Sequence, residues 1–374
     1  MAAAVALVVS VLALSAMAKA GSPIVQYIFG DSLTEVGNNN YLASLAKANY
    51  PWYGIDYPSG ITGRFTNGRT IGDILCNVHD LTTSEKLGVP SPPAYLSLSQ
   101  NDDAILQGVN YASGGSGILN QTGVQCLSFH QQIDYFEATK NAIKGKIGEQ
   151  AAEKLVNNAI FYIGVGSNDF VNNFLQPFMP DAQQYDSDTF IDYLMSTLDG
   201  QLTRLHSLGA RKIVYNGLGP MGCIPSQRVR TSTGECLESV NSLALKFNSA
   251  LKAKTKELNS RLPDADFTVA DIYSIVLDLI MNPATYGFKY ANTSCCNVDG
   301  TLGGLCLPNT RLCSSRHDYV FWDAYHPSDA ANVVIAEKLF NDPDLQIGAR
   351  ANGYSAPPSP KPQRKYRKAP PRMP

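Results

Sequence analysis

Apolar residues occur in this chain in two rhythms. Short runs rich in β-branched and aromatic side chains lie at Ile24–Phe29 (IVQYIF), Gly108–Ala112 (GVNYA), Ala159–Val165 (AIFYIGV), Arg211–Asn216 (RKIVYN) and Phe267–Asp271 (FTVAD). Between and after them are longer stretches in which apolar positions recur every three or four residues: Thr70–Asn77, Phe129–Ile143, Ile147–Asn157, Asp188–Leu208 and Leu237–Leu262. One more helical stretch stops near Asn282–Pro283, and a last one ends at Phe340. The first rhythm predicts buried strands and the second amphipathic helices. Their alternation predicts an α/β protein, with a five-stranded parallel sheet between two helical layers in a three-layer α/β/α arrangement. Right-handed crossovers would place every strand's C-terminal end on one rim. Gly30, Gly114, Gly115, Gly166 and Gly217 all follow strands and would gather there.

That rim is where open α/β sheets carry their chemistry. The first strand leads into Gly30-Asp31-Ser32-Leu33, which places a serine hydroxyl on the turn. Of the five histidines, only His326 sits just before a proline-started helix with an aspartate, Asp323, three residues upstream. Such spacing can bring a carboxylate to the imidazole Nδ1–H, leaving Nε2 to take the proton of Ser32. Three donors suggest themselves for an oxyanion: the N–H of Ser32, a backbone N–H at Gly115 (or Gly114), and the carboxamide of Asn168. For Asn168, helix capping or an Asx-turn is the competing role. Asp31 and Asp169 are read as structural. The aromatics after the first strand (Tyr50, Trp52, Tyr53, Tyr57, Phe65) are read as covering the core. Lining an apolar cleft is their competing role, with Trp52 and Tyr53 the foremost candidates.

Gly164-Val165-Gly166 begins like a dinucleotide fingerprint, but Asp169 replaces the third glycine. The glycines at 114, 115 and 117 lack the Lys-Ser/Thr of a phosphate loop. No C-x-x-C pair or zinc-spaced histidine occurs, so neither a cofactor nor a metal is expected.

Charge adds a partition. The 374 residues carry a net −2, yet the last twenty hold six cations (Lys361, Arg364, Lys365, Arg367, Lys368, Arg372) and no acid. The remainder carries 24 basic against 32 acidic residues, which argues against nucleic-acid binding by the globular part. Residues 1–20 read as a cleaved secretory signal ending in A-x-A sites, although it lacks a basic n-region. No other apolar stretch is long enough for membrane insertion. Residues 21–345 form the expected domain, and 346–374 a basic, Pro-rich tail without packed structure. That tail is a candidate for contact with anionic polysaccharide, against the plainer reading of a solvated end. Eight cysteines and sequons at Asn120 and Asn292 fit an oxidising route and an extracellular destination. Bridges are expected between Cys223 and Cys236 and twice within the Cys295, Cys296, Cys306 and Cys313 loop. Sequence does not decide which cysteines in that loop pair.

Taken together, these residues resemble the plant-type GDSL esterase/lipase group of the SGNH hydrolase superfamily. Gly30-Asp31-Ser32-Leu33 matches its nucleophile signature, Gly115 its oxyanion glycine, Gly166-Ser167-Asn168-Asp169 its G-x-N-D block, and Asp323 to His326 its D-x-x-H block. The likeness spans about residues 24 to 340. It implies a flavodoxin-like sheet, no metal, and a secreted serine esterase or lipase. Ser32 would be nucleophile, His326 base and Asp323 its orienter, with Ser32, Gly115 and Asn168 as the oxyanion hole. Lipid, cutin-like or acetylated cell-wall esters would be substrates. An acyltransferase using the same residues, or a catalytically silent carbohydrate-binding protein, are the alternatives. The basic tail, and Cys76 and Cys126 outside the bridged segments, depart from the family pattern.

Overall fold

All five apolar runs become strands of one parallel sheet: β1 (Gln26–Gly30), β2 (Gly108–Asn110), β3 (Ile160–Gly164), β4 (Lys212–Asn216) and β5 (Asp266–Ala270). Their order, β2-β1-β3-β4-β5, is the flavodoxin-like one. These observations come from a computed structural model that describes residues 25–76, 91–99 and 101–345. The expected signal segment (1–20) and basic tail (346–374) lie outside the described residues.

Alternate side chains of the strands enter two different cores, as the period of two requires. Tyr27, Phe29 and Phe161 point to one face, against α2 (Phe129–Ile147), α3 (Glu149–Asn158), α4 (Ser187–Ser207) and α5 (Glu238–Arg261). Ile28, Tyr162 and Val214 point to the other, against α1 (Ile71–Cys76), α6 (Ile272–Met281) and α7 (Asp329–Phe340). Burial on both faces explains why the middle of each strand is largely apolar. The first core is held by aromatic edges and faces: the Phe136 ring lies 4.9 Å from that of Tyr27 and 5.2 Å from that of Phe161.

Three differences from the sequence reading have physical causes. Helix α2 runs on through Gly145 to Ile147 instead of ending at Ile143; it stops at Gly148, whose φ of 83° a side chain would resist. Asp169–Phe174, directly after the Asn168 turn, forms a π-helix, for which no sequence pattern exists. The cysteine-rich segment contains a second, two-stranded parallel sheet, β6 (Tyr290–Ser294) with β7 (Tyr319–Phe321). Its polar YANTS sequence resembles a loop, and its order comes from sulfur: Cys295 pairs with Cys313 and Cys296 with Cys306. Cys223 pairs with Cys236 as expected.

Candidate active site

At the C-terminal rim the chain turns out of β1 in very little space. A methyl group on Gly30 would lie 2.7 Å from the Gly164 carbonyl oxygen, so only glycine fits between β1 and β3 there. The Asp31 N–H donates to that same carbonyl, and its buried carboxylate accepts from Leu33 N–H and Ser167 Oγ, both at 3.0 Å. Burial holds the Asp31 carboxyl above its ordinary pKa despite these donors. Asp31 thus ties the serine turn to the turn after β3.

Ser32, carried on this turn, has its Oγ 2.7 Å from His326 Nε2. On the other side of the ring, Nδ1 lies 2.8 Å from both Asp323 oxygens. The short spacing works because Asp323 also closes its own turn, accepting the N–H groups of Tyr325 and His326 at 2.8 Å. A ladder behind the turn fixes its place: Cys295 N–H donates to Phe321 O, Cys296 N–H to Trp322 O, and Trp322 N–H to His326 O. Tyr53 donates to Asp323 Oδ2 at 2.6 Å. Burial alone would raise the Asp323 carboxyl; the His326 charge and hydrogen bond, then Tyr53 and Tyr325, outweigh it and hold it below its usual value.

Gly115 and Asn168 line the same cavity as Ser32 and His326. No protein acceptor takes the N–H of Ser32 or of Gly115 among the described residues, whereas Gly114 N–H is consumed by the Glu35 carboxylate. Of the two glycines, Gly115 is therefore the one whose N–H is left without a protein acceptor. Asn168 does not cap the π-helix; its Oδ1 accepts from Asn172 Nδ2 at 2.7 Å and its Nδ2 donates to Ser116 O at 2.9 Å. One amide hydrogen is left. Asp169 accepts from Ile118 N–H, Leu119 N–H and Thr122 Oγ1, joining the glycine loop to the π-helix. Burial pushes its carboxyl up to about 6, and that of Glu35 up to about 8, against the donors bound to each.

The cavity has a volume of about 370 Å³ and is walled chiefly by apolar groups, among them Val171, Leu218, Met221, Ile272 and Leu307. Tyr50, Tyr53 and Phe65 line it, so part of the aromatic loop serves the cleft as well as the packing. Trp52, at a φ of 84°, packs against the small core that includes the Cys295 and Cys296 bridges and does not line the cavity. The sequon asparagines Asn120 and Asn292 are both exposed.

Residues 27–339 match the family model described as GDSL-like Lipase/Acylhydrolase. The chain belongs to this family. It is also similar to a GDSL esterase/lipase of Arabidopsis thaliana, with 57% identity covering 96% of this chain and 98% of that protein. A second GDSL esterase/lipase from the same plant is 47% identical, covering 91% of this chain and 92% of its own, and a third is 44% identical over 90% and 92%. The GDSL signature of the family is therefore the Gly30-to-Leu33 turn described above. Glu35 and Asn39 beside it escaped the sequence reading, and Tyr53, singled out there for the cleft, was not foreseen as the partner of Asp323. Glu35 and Asn39 have no distinctive spacing, and they resemble core or turn residues until their partners are known.

Proposed function

We propose that this chain is a secreted serine hydrolase of carboxylic esters, acting through an acyl-enzyme. The observation that carries the reading is the continuous hydrogen-bonded line from Ser32 Oγ through His326 to Asp323. In the first step Ser32 Oγ attacks the ester carbonyl while His326 Nε2 takes its proton. Asp323 holds the ring in the tautomer that leaves Nε2 free and stabilises the imidazolium. The N–H groups of Ser32 and Gly115 and the remaining amide hydrogen of Asn168 receive the negative charge that develops on the carbonyl oxygen. His326 then returns the proton to the leaving alcohol; water, deprotonated by His326, attacks the acyl carbon, and His326 passes that proton to Ser32 Oγ as the acid leaves. The apolar cavity favours esters with a hydrocarbon acyl group over small polar acetates. Three disulfides, the A-x-A leader and the exposed Asn120 and Asn292 support an extracellular, glycosylated product.

The test is labelling with a fluorophosphonate together with an ester series from acetyl to long-chain. Labelling that is lost in Ser32→Ala, with kcat/KM rising along the series, is the expected result. Undiminished hydrolysis by Ser32→Ala would overturn the reading. Added alcohols, with ester and free acid both quantified, would reveal acyl transfer in place of hydrolysis.

A further inference from the structure

We propose that Asn39, held in place by Glu35 and Ser113, is a positioning residue for the oxyanion site: it fixes the Gly114–Gly115 peptide so that the Gly115 N–H faces the cavity. This rests on the reading of Ser32 as nucleophile. The argument begins with the peptide itself. No peptide bond among the described residues is cis, and across a trans peptide the C=O and the following N–H point to opposite sides. Whatever binds the Gly114 carbonyl therefore decides where the Gly115 N–H points. That carbonyl accepts from Asn39 Nδ2 at 2.9 Å, on the buried side of the loop. The Gly115 N–H is left to the cavity side, where no protein group competes for it.

A clamp is needed here because two successive glycines have the least conformational preference of any dipeptide. Gly115 already sits at φ 86°. Rotation of the peptide would exchange donor for acceptor and present a carbonyl oxygen to the developing oxyanion. The clamp holds both ends of Gly114, since its N–H donates to Glu35 Oε2 while its C=O is taken by Asn39.

Asn39 itself has no freedom. Its backbone N–H donates to Glu35 Oε1 at 2.6 Å, its other amide hydrogen goes to Ala46 O at 2.7 Å, and its Oδ1 accepts from Ser113 Oγ. Asn39 and Glu35 are 1% and 0% exposed. A buried network with every polar group satisfied is rigid, which suits a donor that must be aimed before substrate arrives.

The test compares Asn39→Asp and Ser113→Ala with the wild type and with Ser32→Ala, using ester turnover and a trifluoromethyl ketone that forms a tetrahedral adduct on the serine. Asn39→Asp keeps the size and the acceptor for Ser113 but sets a carboxylate oxygen against Gly114 O. The expected result is a fall in kcat of about tenfold or more with KM changed by no more than about twofold, and an equal loss of ketone affinity. Ser113→Ala, a smaller lesion, should show the same pattern to a lesser degree and keeps the inference testable if Asn39→Asp does not fold. A residue that only stabilised the loop would lower the melting temperature and leave kcat and ketone affinity of the folded enzyme unchanged; that outcome overturns the inference. If Ser32→Ala is inactive while the folded variants retain kcat and ketone affinity, only the role of Asn39 is lost. Wild-type turnover by Ser32→Ala would remove the underlying reading instead.

Discussion

The phenol of Tyr53 donates to Asp323 Oδ2 across 270 residues of chain, at 2.6 Å. Asp323 is thereby surrounded by donors: two backbone N–H groups, the imidazole Nδ1 and this hydroxyl. A buried carboxylate stays ionised only with such partners. Replacing Tyr53 with Phe removes one charge-assisted bond, a class typically worth about 1.5–3 kcal/mol, and makes Asp323 easier to protonate. The acid limb of kcat/KM should move to higher pH, with the rate at its plateau reduced severalfold. A pH–rate profile on Tyr53→Phe checks this, and an unmoved acid limb would count against it.

Asn168 offers its remaining amide hydrogen beside Ser32. Asn168→Ala should lower kcat by about 10²–10³-fold, the cost of one oxyanion donor. Steady-state kinetics on a soluble ester measures it. The melting temperature should fall only modestly, since the side chain is half buried and a single bond, to Ser116 O, links it to a distant segment.

Stability should decline as pH rises through the weakly acidic and neutral range. Burial places Glu35 at about 8 against an ordinary 4.5, and Asp169 at about 6 against 3.8. Between each pair of values the native state binds more protons than the unfolded chain, so stability falls as pH rises and levels off above the higher one. On the acid side the sign reverses: Asp73 and Asp323 are held below 3.8, and their contribution is lost as pH falls through their lowered values. Unfolding midpoints measured across pH should therefore peak near the ordinary carboxyl range, about pH 4. Glu35→Gln should flatten the decline above that point. A midpoint rising steadily to beyond 8 would contradict the assignment.

Arg64 and Asp73 form a two-pronged buried ion pair at 2.7 Å, and Asp73 also takes the N–H and hydroxyl of Thr70. Their side chains are 7% and 1% exposed. Removing the cation leaves an uncompensated buried carboxylate, so Arg64→Ala should cost about 3–5 kcal/mol. Urea unfolding gives the number. The loss should be smaller when Asp73→Ala accompanies it.

The sheet was legible because strands covered on both faces are mostly apolar, with polar residues such as Gln26, Asn110, Lys212 and Asp266 kept to their ends. Asp323 and His326 lie three residues apart, and their proximity follows from the turn alone. Their meeting with Ser32 follows from the rim of a parallel sheet, which collects the ends of distant segments. Tyr53 was legible as a cleft residue but not as the partner of Asp323, and Glu35 and Asn39 were not legible, because a polar turn looks like a turn. Their significance lies in which group they face, and local pattern carries no information about partners 74 to 270 residues away. The strand β6 was hidden because its YANTS sequence is polar, and β7 because it is only three residues long.

Those bridges reach further than the segment they close. Cys295 and Cys296 each carry a sulfur link and, through their amides, support the strand that delivers Trp322, Asp323 and His326. Cys306 lies in the wall of the cleft, and its carbonyl accepts from Tyr50. Opening these bridges would therefore loosen the seat of His326 while leaving the Ser32 turn, held by β1 and β3, in place. Mild reductant should silence turnover while the main sheet still gives its native circular dichroism.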